Sequence, residues 1–347
     1  MVFKRLLGSL GVGGPTVDTV LDAAPGSGSA AVPGGALTGR VHLKGGGADF
    51  DISEITLELI ARVEAETEGG EQHGTVAFER YVVGGGFRLA AEAEQVVPFS
   101  VVLPWETPVS ELYGQPLGIV LGVRTELAVA GAKDKGDLDP LAVGPLPAQE
   151  AILEALGQLG FGFRSADLEY GRIGGTGQQL PFYQEIELSP APQYAHAVNE
   201  IEVTFLAHPG GLEVVLEADK RGGMFTPGHD ALTRFTVSHE DVASRDWAAE
   251  VDGWVRRLVE HRAAYGTHAS YGHHDPYAGG HHGHHDGHHD GHHDGHRSGP
   301  GMGTAIAAGA AGLAVGVAGG LVAAEVVDEV GDFFEGDEDE DDGGDEG

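Results

Sequence analysis

Apolar and polar residues alternate along most of the first 240 positions of the chain. In the clearest run, apolar or β-branched residues occupy every second position from Ile119 to Val129. A repeat of two places successive side chains on opposite faces of a strand, so this run predicts a β-strand with one buried face. The Gly-, Asp- and Lys-rich stretch 131–140 predicts a solvated loop. Residues 138–143 predict a shorter strand that Pro145 ends.

The same alternation recurs on both sides of this run, between turns marked by glycine and proline. Before it, strands are predicted over 16–21, 35–44, 52–63, 75–82, 87–89 and 95–103. A polar hairpin tip is expected over 67–74, and an irregularity near Glu54. After it, strands are predicted over 161–170, 180–188, 199–207, 212–218 and 233–238. Many short strands with frequent turns are typical of a β-sandwich, so the predicted fold class is all-β.

Three segments instead have apolar residues spaced by three and four, as on one face of a helix. Residues 148–160 predict a helix between two β regions, and Gly160 would end it. Residues 241–264 predict an amphipathic helix capped by Ser238 or Ser244. A short N-terminal helix is predicted to pack its apolar face on the sandwich or to dock it on a membrane or partner. That face comprises Phe3, Leu6, Leu7 and Leu10.

The chain is strongly acidic, with a formal net charge of −34 over 347 residues. Residues 325–347 alone hold 13 acidic residues and no basic residue. An acidic surface repels polyanions, so nucleic acid is not an expected partner. The chain has no cysteine, which excludes disulfides and thiolate chemistry and agrees with a cytoplasmic protein.

Three stretches resemble the bacterial sporulation-control family called stage-zero sporulation protein M. They are Arg124-Thr-Glu-Leu-Ala-Val-Ala-Gly-Ala-Lys-Asp-Lys-Gly-Asp-Leu-Asp-Pro140, residues 3–7 with 16–21, and residues 180–187 with 211–219. The resemblance covers roughly the first three-quarters of the chain. It implies an arrestin-like fold and a regulatory, non-enzymatic role in development, and it supplies no catalytic residues.

Pattern and resemblance together predict the division of the chain. Residues 1–147 would form an arrestin-like β-sandwich, and 148–240 a linker helix with a second β-sandwich domain. The amphipathic helix would occupy 241–264. Beyond it we expect a disordered His/Gly/Asp-rich linker over 265–298, a Gly/Ala-rich helix over 299–332 and a disordered acidic tail over 333–347.

The sequence contains no catalytic constellation. It lacks a Gly-rich phosphate loop, a nucleophile elbow and a His-Glu-x-x-His helix. Acidic residues such as Glu54, Glu58 and Glu64 are interpreted as outward strand positions. We therefore expect neither an enzyme nor a bound cofactor.

The histidine-rich tract is the one segment with metal-binding chemistry. Neutral imidazole binds zinc, nickel and copper, so the tract predicts weak binding of zinc or nickel. A fixed zinc site needs a defined geometry, and the repeat offers none. The alternative is a solvated linker whose charge rises as the pH falls. The candidate ligands are His281, His282, His284, His285, His288, His289, His292, His293 and His296.

Small residues recur every fourth position in the Gly/Ala-rich segment, at Ala308, Gly312, Gly316 and Gly320. On a helix they would form one stripe that permits close helix contact, which predicts homo-oligomers or association with a membrane-embedded partner. Residues 304–324 are long enough to span a bilayer but poor in large aliphatic side chains. A soluble helix and a membrane contact therefore both remain open.

These features predict a cytoplasmic, non-enzymatic scaffold that controls sporulation or developmental cell division through unidentified protein partners. The alternative is a membrane-associated metal-binding protein that acts through its C-terminal segments.

Overall fold

The computed structural model describes residues 14–67, 70–130, 135–218, 231–240 and 242–269. Four predicted segments lie outside the described residues: the N-terminal helix, the histidine-rich linker, the Gly/Ala-rich helix and the acidic tail. The exception is the start of the linker, which is described as far as Ala269. The strands are β1 Thr16–Leu21, β2 Ala36–Lys44, β3 Phe50–Thr67, β4 Gly70–Gly84, β5 Phe87–Leu89, β6 Glu94–Val102, β7 Glu111–Leu112, β8 Gln115–Pro116, β9 Leu121–Val129, β10 Lys135–Pro140, β11 Gly162–Tyr170, β12 Phe182–Ser189, β13 Ile201–His208, β14 Gly211–Ala218 and β15 Ala231–Ser238. The helices are α1 Pro147–Leu159 and α2 Trp247–Ala269.

The first half is a sandwich, as the alternation predicted. A three-stranded sheet β1-β2-β6 packs on a sheet in which β3 pairs with β9 along one edge and with β4 and β5 along the other. The inward positions of β2 and β3 are fully buried, with Leu37, Val41, Leu57 and Leu59 each 0% exposed. The irregularity expected near Glu54 is confirmed, because the β3–β9 register shifts between Ile52 and Glu54.

The second half differs from the expected second sandwich. Strands β11 to β15 form a five-stranded antiparallel run, and α1 and α2 cover one of its faces. The second-sandwich prediction is therefore wrong for the described residues. Alternation along a strand shows only that one face of the sheet is apolar and must be buried. It does not show whether a second sheet or helices bury that face. Here helical residues bury it, namely Ile152, Leu156, Val255 and Leu258.

One parallel pair, Glu64 on β3 with Glu169 on β11, joins the halves into a ten-stranded sheet.

Helix α1 is consequently not a connector packed between two sandwiches. Its buried residues lie in the second core, against α2. Pro147 begins the helix, where its missing N–H is not needed, and the Gln149 Oε1 accepts the Leu146 N–H at 2.8 Å. Gly160 ends it with φ 96°, a left-handed angle that suits glycine.

Helix α2 begins and ends later than the predicted 241–264. Residues 242–244 form a short 3₁₀ turn, and the helix runs from Trp247 to Ala269. The predicted caps were wrong, because Asp246 performs this role by accepting the Ala249 N–H at 3.1 Å. Aspartate is as good an N-cap as serine.

Two connections predicted from composition are strands instead. The expected loop over 131–140 contains β10, which pairs with β9 from Lys135 to Pro140, so the strand expected over 138–143 is displaced. The polar hairpin tip expected over 67–74 is also too long, because β3 continues to Thr67 and β4 begins at Gly70.

The polar side chains of β10 have a role that composition does not reveal. The backbone N–H of Thr19, on edge strand β1, donates to the Asp137 Oδ2 at 2.6 Å. The hydroxyls of Thr19 and Thr125 are 2.7 Å apart and join the two sheets. Polar residues thus close this side of the sandwich.

Candidate functional site

The junction between the halves is held by the segment that follows β6. The Glu106 carboxylate accepts the backbone N–H groups of Gln179 and Leu180, each at 2.8 Å. Burial raises the pKa of Glu106, and these N–H bonds oppose that effect. The Val109 N–H donates to the Gln184 side chain at 2.9 Å, and the Gln184 amide donates back at 2.8 Å. These bonds cross-link the first half to the loop before β12 and to β12 itself.

An acidic cluster lies on the outer face of the sheet beside this junction. Strand register brings its members together, because Asp167 on β11 is opposite Glu185 on β12, and Glu169 is opposite Glu64 on β3. Carboxylate oxygens of Asp167, Glu169 and Glu185 all lie within 4.8 Å of one another. Four neighbouring carboxyl groups on three strands create a strongly negative field at this point of the sheet.

The pKa of Asp167 shows the effect of that field. Burial, followed by the charges of Glu185 and Glu169, raises the pKa of Asp167 to about 7. Its Oδ1 is buried and accepts no hydrogen bond from the residues that the structure describes. Protonation of Asp167 near neutral pH lowers the charge of the cluster, which is the expected response of a carboxyl group held among others.

A cavity of about 140 Å³ adjoins the cluster where β9 and β11 diverge from β3. Its walls are Arg62, Glu64, Gly118, Ile119, Val120, Ala166, Asp167 and Leu168. The backbone N–H of Arg62 donates to the Val120 carbonyl at 3.2 Å, which holds the lead into β9 against β3. This volume accommodates a few water molecules, each of which takes roughly 30 Å³ in the liquid.

The chemistry available here is limited to charge and proton binding. Carboxylate oxygens are ligands for hard cations, so Asp167, Glu169 and Glu185 could hold a divalent ion. No residue lining the cavity is a serine, threonine, cysteine or histidine, so it offers no activated nucleophile. The nearby His73 Nδ1 lies 3.4 Å from a Glu64 carboxylate oxygen on the β3–β4 hairpin.

This cluster is not predicted from the sequence, because acidic strand residues were interpreted as independent, outward positions. That interpretation also fails for Glu58, which is largely buried and pairs with Arg124. The available signal was the alternation Asp167-x-Glu169 and Glu185-x-Glu187 on consecutive strands, which places all four carboxylates on one sheet face once the hairpin register is known.

The site residues predicted from the sequence all lie outside the described residues. The nine histidines are His281, His282, His284, His285, His288, His289, His292, His293 and His296. The small-residue stripe comprises Ala308, Gly312, Gly316 and Gly320. Metal binding and oligomerisation through these segments therefore stay predictions. Within the part of the chain that the structure describes, helices lack the length and apolarity needed to cross a membrane.

Comparison with known proteins gives concordant matches. A family model described as SpoOM protein matches residues 3–222. The sporulation-control protein spo0M of Bacillus subtilis (strain 168) is 34% identical over 220 residues, which cover 63% of this chain and 81% of that protein. The crystal structure of Spo0M, sporulation control protein, from Bacillus subtilis matches with a TM-score of 0.62 and 29% identity over 72% of this chain and 100% of that one. The family model spans more than half of the chain, and the relative and the solved structure agree with it, so the chain belongs to the Spo0M family.

Proposed function

We propose that this protein is a non-enzymatic regulator of sporulation or developmental cell division that acts as a scaffold for other proteins. Family membership supports the biological role, since the matched relative is a sporulation-control protein. The observation that carries the scaffold role is the cross-linked junction. Glu106 and Gln184 tie the halves together through hydrogen bonds from four N–H donor groups at 2.8–2.9 Å, so the ten-stranded sheet can present one continuous surface.

The cavities favour a surface function over a small-molecule function. Pockets for small molecules usually measure about 300–1,000 Å³. The cavity at the junction measures about 140 Å³ and lacks a nucleophile with a paired base. Protein partners, which bind broad surfaces, are the class that this architecture suits.

A gene deletion tests the proposed role. The strain without the gene should form fewer heat-resistant spores than its parent, and a plasmid copy should restore the count. Equal spore numbers and normal division in the deletion strain would refute the proposal.

The alternative function is that of a membrane-associated metal-binding protein that acts through its C-terminal segments. A chain ending at Ala269, where α2 ends, separates the two. The scaffold proposal expects the shortened chain to restore most of the spore count, with immunoblots that show equal protein levels. Restoration by the full chain alone would favour the alternative.

A further inference from the structure

A two-residue hairpin turn beside α1 carries an unusual residue. Strands β7 and β8 pair Leu112 with Gln115, and the residues between them, Tyr113 and Gly114, have φ of 53° and 74°. Two consecutive left-handed residues make a type I′ turn, for which Asn-Gly is the favoured sequence. Gly114 fits this preference, whereas Tyr113 does not.

Tyrosine is strained at this position and gains little packing in return. A bulky residue rarely adopts a positive φ, because its Cβ crowds the backbone. The side chain of Tyr113 is 64% exposed, so burial of the ring does not offset the strain. Strained and exposed residues of this kind are found at binding sites, where the strain presents a side chain to a ligand.

The base of the hairpin is fixed, so its tip has a defined position. The Ser110 N–H donates to the Val143 carbonyl at 2.8 Å, and the Leu117 N–H donates to the Ser110 carbonyl at 2.9 Å. Val109, just before the hairpin, is the residue bonded to Gln184. The hairpin is therefore attached to both halves of the protein. A partner bound at its tip would lie next to the segment that joins the halves.

The surroundings of Tyr113 define the charge of a suitable partner. Partial burial, followed by the charges of Glu150 and Glu154 on α1, raises the pKa of Tyr113. Glu111 lies on the same hairpin. Within the described residues, none of these three carboxylates forms an ion pair. An exposed aromatic ring near carboxylates that lack an ion-pair partner suits a guanidinium or ammonium group, which stacks on the ring while it pairs with a carboxylate.

We propose that Tyr113 is a preorganised anchor for a partner protein, which places an arginine or lysine side chain on the tyrosine ring and against Glu150 and Glu154. Tyrosine and arginine are among the residues that contribute most to protein interfaces, and a fixed tip loses little entropy on binding. The inference rests on the proposed scaffold function, for which it defines a contact and the chemistry of the partner.

Photo-crosslinking in the full-length protein tests this contact. The photoreactive residue p-benzoylphenylalanine replaces Tyr113 in sporulating cells, and mass spectrometry identifies the adduct peptide. Tyr170, an aromatic residue 37% exposed on β11, is the matched control position. We expect an adduct at 113 but not at 170, on a protein segment with an arginine or lysine next to the cross-link. Glu150→Gln with Glu154→Gln should lower its yield by about fivefold, the effect of losing one or two exposed charge contacts.

An adduct segment without a basic residue, an adduct with a second copy of this chain, or a yield at 113 no higher than at 170 would overturn the inference. So would a yield that the two glutamine substitutions leave unchanged. These readouts need no spore count, so they remain informative if the proposed role in sporulation fails.

Two further substitutions exclude a merely structural role for the tyrosine. Tyr113→Asn should leave the Tm unchanged or raise it, because asparagine favours the turn, yet it should remove function in the spore assay. Tyr113→Phe keeps the ring and should keep function. If Tyr113 served only to bind α1 through its hydroxyl, both variants would lower the Tm, and Phe would be as defective as Asn.

Discussion

Asp139 makes the stability of the first half depend on pH, and the substitution Asp139→Asn should remove that dependence. Asp139 and Asp137 project from the same face of β10 at the edge of the sandwich. Asp137 accepts the Thr19 N–H of β1 at 2.6 Å, and the Oδ2 of the neighbouring Asp139 is buried without a hydrogen-bond partner among the described residues. Burial, followed by the charge of Asp137, raises the pKa of Asp139 from 3.8 to about 8. An asparagine amide can donate a hydrogen bond to Asp137, as a protonated carboxyl group would, but it cannot ionise.

The direction of the effect follows from proton binding. Between about pH 4 and about pH 8 the folded protein holds a proton on Asp139 that the unfolded chain has released. Stability from this group is therefore highest below about pH 4 and is lost as the pH rises toward 8. When the folded protein binds one proton more than the unfolded chain, the free energy of unfolding changes by about 1.4 kcal/mol for each pH unit. Between pH 5 and 7 the upper limit is about 3 kcal/mol, and for a half-buried group in contact with solvent we expect about 1–2 kcal/mol.

Urea unfolding followed by circular dichroism at about pH 5, 6, 7 and 8 measures this difference. The free energy of unfolding of the wild type should fall relative to Asp139→Asn as the pH rises, and the variant should be the more stable at pH 8. Asp51→Asn, which changes an exposed carboxylate on β3, is the control and should follow the wild type. If Asp139→Asn also parallels the wild type across this range, the reasoning about this pair is wrong.

Four other changes test separate parts of the account. Leu156→Asp places a charge in the second core, where Leu156 is 1% exposed, and should cost at least about 4 kcal/mol; thermal unfolding identical to the wild type would contradict this. Glu106→Gln should cost about 1–2 kcal/mol and speed amide hydrogen exchange at Gln179 and Leu180, and unaltered exchange would show that the junction does not depend on this carboxylate. A peptide over residues 281–296 should bind nickel near pH 7.5 and release it near pH 5.5, so calorimetry without a pH-dependent heat would exclude metal binding. Gly312→Leu with Gly316→Leu should reduce cross-linked oligomers, and oligomers that persist would argue against the small-residue stripe.

The strands were predictable because their signal is local. A repeat of two located β1 at its observed bounds, Thr16–Leu21, and located β2 and β6 within a residue or two. Glycine after a helical repeat also placed the end of α1 correctly. These predictions needed only information carried within about ten residues of chain.

The errors came from residues whose partners are distant in sequence. Composition indicated a loop at Lys135–Pro140, but Asp137 bonds to Thr19, 118 positions away, which makes acidic residues favourable in an edge strand. A single strand pattern likewise does not reveal whether helices or a second sheet will cover it, so the cover of β11 to β15 was assigned incorrectly. The acidic cluster depends on the register between β3, β11 and β12, which no single segment contains.

The central claim is that the folded body of this Spo0M-family protein acts by binding other proteins. Affinity capture from sporulating cells with the chain ending at Ala269, quantified against the full chain and against a non-sporulating culture, tests it most directly. We expect both chains to enrich at least one protein equally, and deletion of the gene for that protein should lower the spore count. Enrichment by the full chain only, or of no protein required for sporulation, would contradict it.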